Sequence, residues 1–248
     1  LGRLVVGLSE LSLAACSWSE VEPLYRAAAR PEIQASPDVV ASQLVETGSL
    51  ERGRDARVPL LDATDLVYAY EGRPHPVLKG GSLRIERGDR ILLEGPSGGG
   101  KSTLTSLLTG LRQPQSGLLL LRGLDWQTLG PSGWRRHVAV APQYHESHVL
   151  SETLMFNLLM GREWPPSRED VREAEDVCKA LGLGELLQRM PAGLFQMVGE
   201  SGWRLSHGEK SRLYIARALL QRAELVLLDE SFAALDPETL GICLKCVL

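Results

Sequence analysis

Gly95-Pro96-Ser97-Gly98-Gly99-Gly100-Lys101-Ser102-Thr103 is the stretch on which the fold turns. It has the form G-x-x-x-x-G-K-[ST], a loop that cradles phosphate. Glycine has no Cβ, so consecutive backbone N–H groups can turn inward around an anion. Lys101 is then the side chain that would reach β and γ phosphates, and Ser102 the hydroxyl that would meet Mg²⁺. The flanks agree with this reading. Arg90-Ile91-Leu92-Leu93-Glu94 reads as a short buried strand, and Ser102 to Leu108 as a helix with Gly110 as its stop.

The chain has 248 residues, enough for one large domain or two small ones. It is 44% hydrophobic and 23% charged, an ordinary globular composition. A net charge of −4 leaves no nucleic-acid footprint. No run of eighteen apolar residues occurs, so nothing here spans a membrane by itself. The first residues lack the basic start and small-residue cleavage site of a signal peptide. The chain begins at Leu1 rather than Met, which reads as a segment of something longer. Cys16, Cys178, Cys243 and Cys246 give no disulfide framework. Cys178 falls on the apolar face of a helix with Val171, Ala174 and Leu181. Cys243-x-x-Cys246 has a redox or half-zinc spacing, yet it also lies on one side of a helix. His145 and His148 read as loop residues rather than ligands.

Residues 1 to about 30 read as a helix, with Leu4, Leu8, Leu11, Ala15, Trp18 and Leu24 at helical spacing. Pro31 ends it, and the polar run to Pro59 reads as a linker. From Leu60 strands begin, with Leu66, Tyr68 and Tyr70 alternating onto one face and Leu83 and Ile85 repeating the pattern. Gly117 to Leu121 and Val138 to Val140 are short apolar strands. Residues 150 to 200 look helical, with Ser167 and Asp170 placed to cap one helix. Leu205 to Leu220 is a helix, and Glu224 to Leu228 is an apolar strand. Strands alternating with helices imply a mostly parallel α/β sheet.

That last strand runs into Asp229-Glu230. In a parallel sheet, ligands sit beyond the carboxyl ends of the strands. Asp229 there can hold Mg²⁺, usually through water, and Glu230 can polarise the water that attacks a γ-phosphate. A solvated strand end is the plain alternative, which Lys101 and Ser102 in the same chain make the weaker one.

Between the two nucleotide elements, Leu205-Ser206-His207-Gly208-Glu209 resembles the LSGGQ-like signature of ATP-binding-cassette (ABC) proteins. The resemblance covers residues about 61 to 248, with the motifs in the family's order. Gln143 resembles the Q-loop glutamine. Tyr70 in Ala69-Tyr70-Glu71-Gly72 resembles the aromatic residue that stacks on adenine; Tyr68 is the lesser candidate, since Tyr70 directly precedes the Glu-Gly turn. Ser231-Phe232-Ala233-Ala234-Leu235-Asp236 resembles the D-loop. Val198-Gly199-Glu200-Ser201-Gly202 and Thr153 to Asn157 resemble stretches of the exporter branch in particular.

The resemblance implies a P-loop NTPase, RecA-like α/β core with a small antiparallel β subdomain near 61–90 and a helical subdomain near 144–205. It implies two regions: an N-terminal helix and linker over 1–59, the cytoplasmic end of a transmembrane domain, and a nucleotide-binding domain over 60–248. ATP and Mg²⁺ are the implied ligands. Gly95, Pro96, Ser97, Gly98, Gly99, Gly100, Lys101, Ser102, Thr103 and Tyr70 would bind nucleotide, and Ser102, Gln143 and Asp229 would serve the metal. Glu230, Lys101 and Gln143 would carry the chemistry. Ser206, Gly208 and Glu209 would face ATP on a second, antiparallel cassette, identical or not. The implied cycle is ATP-driven closure, hydrolysis and reopening, powering export at the cytoplasmic face of a membrane, with a transmembrane domain as the other partner.

Locally, Ser206-x-x-Glu209 is also a capping box for the helix that follows. The better account is capping in the free state and phosphate contact in the dimer. The signature departs from the family at His207, which replaces a glycine and is expected to point to solvent, and at Glu209, which replaces a glutamine. No histidine follows His207, so the family's switch histidine and last core strand are missing and the domain reads as truncated at its C-terminus. Truncation would expose one sheet edge. A cassette that binds ATP without turnover is therefore an alternative for this chain, and a soluble non-transport ABC ATPase is another.

Overall fold

The computed structural model describes residues 58–143 and 149–248. The expected N-terminal helix, nearly all of the linker, Cys16, His145 and His148 lie outside the described residues. Among those described, no helix is long and apolar enough to cross a membrane.

The larger sheet is built from β1 (Leu61–Tyr68), β2 (Leu78–Ile85), β3 (Ser116–Leu121) and β4 (Leu124–Asp125), in the order β2-β1-β3-β4 and antiparallel throughout. Leu61 and Ala63 are buried and so is Leu66, which breaks strict alternation. The register shifts between Ala63 and Leu66, and Asp65 takes a φ of 51°. This bulge resets the phase, so both halves of β1 put their apolar residues on the core face. Gly117 on β3 fits against it. A Cβ there would lie 2.4 Å from the Asp65 carbonyl oxygen, and its φ is 97°, so only glycine lets the two backbones meet.

The second sheet pairs β5 (Val138–Ala141) with β6 (Leu225–Leu228), parallel, with Val138 opposite Leu225 and Ala141 opposite Leu228. The helix α1 (Lys101–Leu108) follows the glycine loop, and α2 (Trp126–His137), broken at Gly130-Pro131, leads into β5. Trp134 is fully buried and donates its indole N–H to the Leu108 carbonyl at 2.8 Å. It shares one core with Leu61, Leu66, Leu107, Leu121, Val138 and Leu225, which binds the antiparallel sheet to the start of the parallel pair.

A second core holds the helical region: α3 (Leu154–Leu158), α4 (Arg168–Ala180), α5 (Gly184–Arg189), a 3₁₀ turn at Gly193–Phe195, α6 (His207–Leu220) and α7 (Pro237–Val247). The central helix is α6, where Leu213, Tyr214, Ile215, Ala216, Ala218 and Leu220 are all buried. A helix apolar over so much of its surface has to be packed on several sides. The capping box expected at Ser167 and Asp170 forms at the start of α4.

Three expectations need correction. The larger described sheet is antiparallel rather than parallel, and its antiparallel part runs on to Asp125 instead of stopping near residue 90. Residues 90–94 also form no strand, and Ile91, Leu92 and Leu93 are 51%, 79% and 48% exposed. An apolar run becomes a strand only with a ladder to join. Among the described residues β5 and β6 pair only with each other, and each keeps a free edge.

Charge clusters tie the parts together. Glu224, at the entry to β6, accepts from Arg122 at 3.3 Å and from Arg87, and lies 2.7 Å from His137 Nδ1. Arg162 donates to Asp170 at 2.6 Å, to Glu173 at 2.8 Å and to the Leu220 carbonyl at 2.6 Å. Arg222 joins Glu173 from the other side at 3.2 Å. The two guanidinium groups hold the Glu173 carboxyl down from the ordinary 4.5 to about 2. Because the folded value is depressed, its contribution is full above pH 4.5 and is lost as pH falls toward 2. Wild-type stability in urea should drop by about 2 kcal/mol more over that window than that of Glu173→Gln, after allowing for the pair's partial exposure.

Candidate functional site

The glycine loop is shaped by backbone that only glycine adopts easily. Gly98 and Gly100 have φ values of 77° and 90°. Gly99 donates its N–H to the Pro96 carbonyl at 3.0 Å. Gly100 is the N-cap of α1, where a Cβ would come within 3.1 Å of Val77 and 3.2 Å of Leu78. No side chain caps α1, and its first turn carries no acid. The first N–H groups of a helix have no intrahelical partner, so this end presents donors and positive dipole outward. Lys101 Nζ folds back to donate to the Gly95 and Pro96 carbonyls at 2.9 and 3.1 Å, which holds its charge across the loop. Ser102 is exposed beside it. Thr103 is turned inward instead, 6% exposed, with its hydroxyl 3.1 Å from that of Tyr70.

Tyr70 sits two residues past β1. Tyr68 meets it edge to face, with ring centroids 5.2 Å apart and planes at 86°. The guanidinium of Arg112 lies 4.8 Å from the Tyr70 centroid and that of Arg73 lies 5.6 Å from it. Thr103 and Tyr70 thus join the phosphate loop to the aromatic pair. Arg112 could not be found in the sequence, since 44 residues separate it from Tyr68 and no local pattern marks it.

Gln143, Asp229 and Glu230 each follow the carboxyl end of a strand of the parallel pair. The ladder runs past Leu228, with Asp229 donating its N–H to the Ala141 carbonyl at 3.0 Å. The buried Ser231 hydroxyl donates to the same carbonyl at 2.6 Å. Gln143 is half-buried two residues beyond Ala141, and Glu230 is exposed with a φ of 47°. A glutamate held in the left-handed region is uncommon, and such strain gathers at functional sites. Leu107 and Leu108 pack with Val138 and Leu225, the first residues of β5 and β6. The C-terminal turn of α1 thus shares a core with the starts of β5 and β6.

Ser206, Gly208 and Glu209 form a separate group. Ser206 is the N-cap of α6; its hydroxyl accepts from Glu209 N–H at 3.2 Å and its own N–H donates to the Glu209 carboxylate at 2.8 Å. Arg189 on α5 donates to that carboxylate at 2.8 Å. Burial works against the charge on Glu209, yet the hydrogen bonds from Ser206 and Arg189 hold it below the usual carboxylate range. Ser206 and Glu209 bond each other and Arg189, and the Gly208 carbonyl accepts from Arg212 at 3.2 Å. Gly208 lies beside the 231–236 turn, where a Cβ would be 3.4 Å from the Ala234 carbonyl. His207 is exposed.

The two exporter-like stretches meet each other: Val198 donates to the Glu152 carbonyl at 2.9 Å, and Thr153 pairs with Met197. Asn157, fully buried, binds both backbone groups of Leu150 and accepts from Arg217 at 3.3 Å. Burial pushes the Cys178 thiol up to about 12 and raises Cys243 and Cys246 as well. These groups stay protonated thiols at neutral pH, unsuited to nucleophilic or redox work. Among the described residues no group of three or more His, Cys, Asp or Glu side chains could hold a metal ion.

Residues 78–233 match the family model described as ABC transporter. The ATP-dependent lipid A-core flippase of Chromobacterium violaceum is 38% identical over 203 residues, which is 82% of this chain and 32% of the flippase. The mycobactin import ATP-binding/permease protein IrtB of Mycolicibacterium thermoresistibile is 36% identical over 201 residues, covering 80% of this chain and 33% of IrtB. The chain thus spans about a third of the length of these curated relatives. A solved structure of a bacterial Atm1-family ABC exporter with ATP bound superposes with a TM-score of 0.69 at 28% identity, over 84% of this chain and 37% of that one.

The Ser206 cap can be tested by itself. Ser206→Ala should destabilise the protein by about 1 kcal/mol and Ser206→Gly by only a few tenths, read from urea unfolding midpoints. Equal losses from the two variants would mean that the hydroxyl does not cap α6.

Proposed function

Because this chain belongs to the ABC transporter family, we propose that residues 60–248 are the nucleotide-binding domain of an exporter that binds and hydrolyses ATP to drive transport. The observation that carries the reading is the uncapped N-terminus of α1 with Lys101 folded across its loop. Triphosphate is the ligand chemistry that such an end accepts: loop amides and Lys101 take the β and γ phosphates, displacing the lysine from the Gly95 and Pro96 carbonyls.

Tyr70 stacks on the adenine in this reading. The oxygen donors Ser102, Gln143 and Asp229 form a hard set of the kind Mg²⁺ takes. When bound, Mg²⁺ would supply neutralisation of charge on the β and γ phosphates. Glu230, exposed at the strand end, orients and polarises the attacking water as general base. Lys101 and the loop amides stabilise the charge that grows on the transferring phosphoryl group.

Ser206, Gly208 and Glu209 act on the nucleotide of a second, antiparallel cassette. Ser206 cannot fully cap α6 and hold a γ-phosphate at once, so closure of the dimer exchanges one contact for the other. The names of the relatives, a flippase and an ATP-binding/permease protein, support a transmembrane domain as the other partner and a cytoplasmic membrane face as the location. The 1–59 region is then the end of that domain and its linker.

A second reading is favoured by the exposed run Ile91–Leu93 and the free edges of β5 and β6. That arrangement leaves room for one further strand leading out of the same sheet. A loop whose preceding residues are unpaired binds nucleotide but holds it too loosely for hydrolysis, so this chain alone would bind ATP without turnover.

MgATP binding and turnover separate these readings. Lys101→Ala should weaken ATP at least about tenfold. Glu230→Gln should leave binding intact and cut any turnover by about a hundredfold or more. Unchanged ATP affinity in Lys101→Ala would overturn the nucleotide reading. Turnover by a chain extended past Leu248, but not by this one, would favour the second reading for the chain as given.

A further inference from the structure

The guanidinium of Arg112 is tethered where a base-stacking ring needs support. Its Nη1 donates to the Tyr68 hydroxyl at 2.9 Å, and its Cζ lies 5.9 Å from the Tyr68 centroid and 4.8 Å from that of Tyr70. One planar cation therefore spans both rings, which themselves meet edge to face. The Arg112 backbone is fixed as well, since its N–H donates to the Ser106 carbonyl at 3.0 Å, one turn from the end of α1. Tyr70 is thus restrained at three points: at its hydroxyl by Thr103, by the edge-to-face contact with Tyr68 and over its ring by Arg112. Two of the three supports, Thr103 and Arg112, stand on or just after the helix that begins with the phosphate loop.

We propose that Arg112 is a positioning residue for nucleotide binding: it presets the Tyr70 ring for a purine base while touching neither phosphate nor metal. The inference rests on the reading of Tyr70 as the base-stacking residue. A free tyrosine on the exposed turn after β1 would lose rotamer freedom each time a base docked. Arg112 removes that loss beforehand by ordering the ring in the free protein. Arginine suits the place better than lysine, because a planar guanidinium can lie over a ring and still aim an N–H at a hydroxyl. Arg73, on the same turn as Tyr70 and exposed, is the looser of the two cations near the ring. The base dependence of the effect separates positioning from simple stability.

The test compares MgATP with inorganic tripolyphosphate, the latter in competition, on this chain and three variants. Arg112→Ala should weaken ATP about three- to tenfold and leave tripolyphosphate unchanged. Tyr70→Ala should weaken ATP at least as much, and the double variant should be no worse than Tyr70→Ala, because Arg112 acts only through that ring. Arg112 is exposed, so the variants should fold, and their urea midpoints verify it. ATP affinity unchanged in Arg112→Ala, equal loss of ATP and tripolyphosphate, or additive losses in the double variant would each overturn the proposal. If Tyr70→Ala itself left ATP affinity intact, the base-stacking reading would fail and this inference with it. A loss confined to Tyr70→Ala would sink the role of Arg112 alone.

Discussion

A helix whose first turn carries no capping side chain leaves N–H groups pointing at solvent, and α1 is such a helix. An end of this kind is useful only if the backbone before it can wrap an anion and the helix behind it cannot move. The left-handed Gly98 and Gly100 meet the first need. Leu107 and Leu108, buried against Trp134 and the starts of β5 and β6, meet the second. The aromatic pair, Thr103 and Arg112 are then held relative to the same short helix.

The start of α6 makes a contrast. There Ser206 and Glu209 satisfy each other and Arg189 adds a charge-assisted bond, so the second helix end is closed. The difference follows from two positions: glycine stands before Lys101 where serine stands before His207, and no acid stands in the first turn of α1 where Glu209 stands in α6. An open end is available to a ligand at once. A closed one takes an anion only where that anion replaces the intramolecular partner.

Register brings Asp229 against the end of β5, where its N–H meets the Ala141 carbonyl two residues before Gln143. Ala141 faces Leu228, so residues just beyond each are neighbours although far apart in the chain. The charge cluster at Glu224 ties the entry of β6 to Arg122 and His137, while that around Arg162 ties α4 to the end of α6. Among the described residues, the run Ile91–Leu93 just before the loop is unpaired and left exposed.

Sequence alone determined what depends on residue type within one turn or one strand: the glycine loop, the caps at Ser167 and Ser206, the apolar strands near residues 138–140 and 224–228, and the acids after Leu228. Each rests on chemistry within a few residues, where glycine conformations, hydroxyl caps and apolar spacing act directly. Tertiary structure decided what depends on partners. Ile91–Leu93 are as apolar as β6, yet they form no strand, because a ladder needs a neighbour and composition cannot supply one. Thr103 turned inward to Tyr70 rather than out with Ser102, because its place on α1 faces the aromatic pair. The bulge at Asp65 and the approach of Arg112 over Tyr70 belong to the same class, since both are set by chains meeting in space.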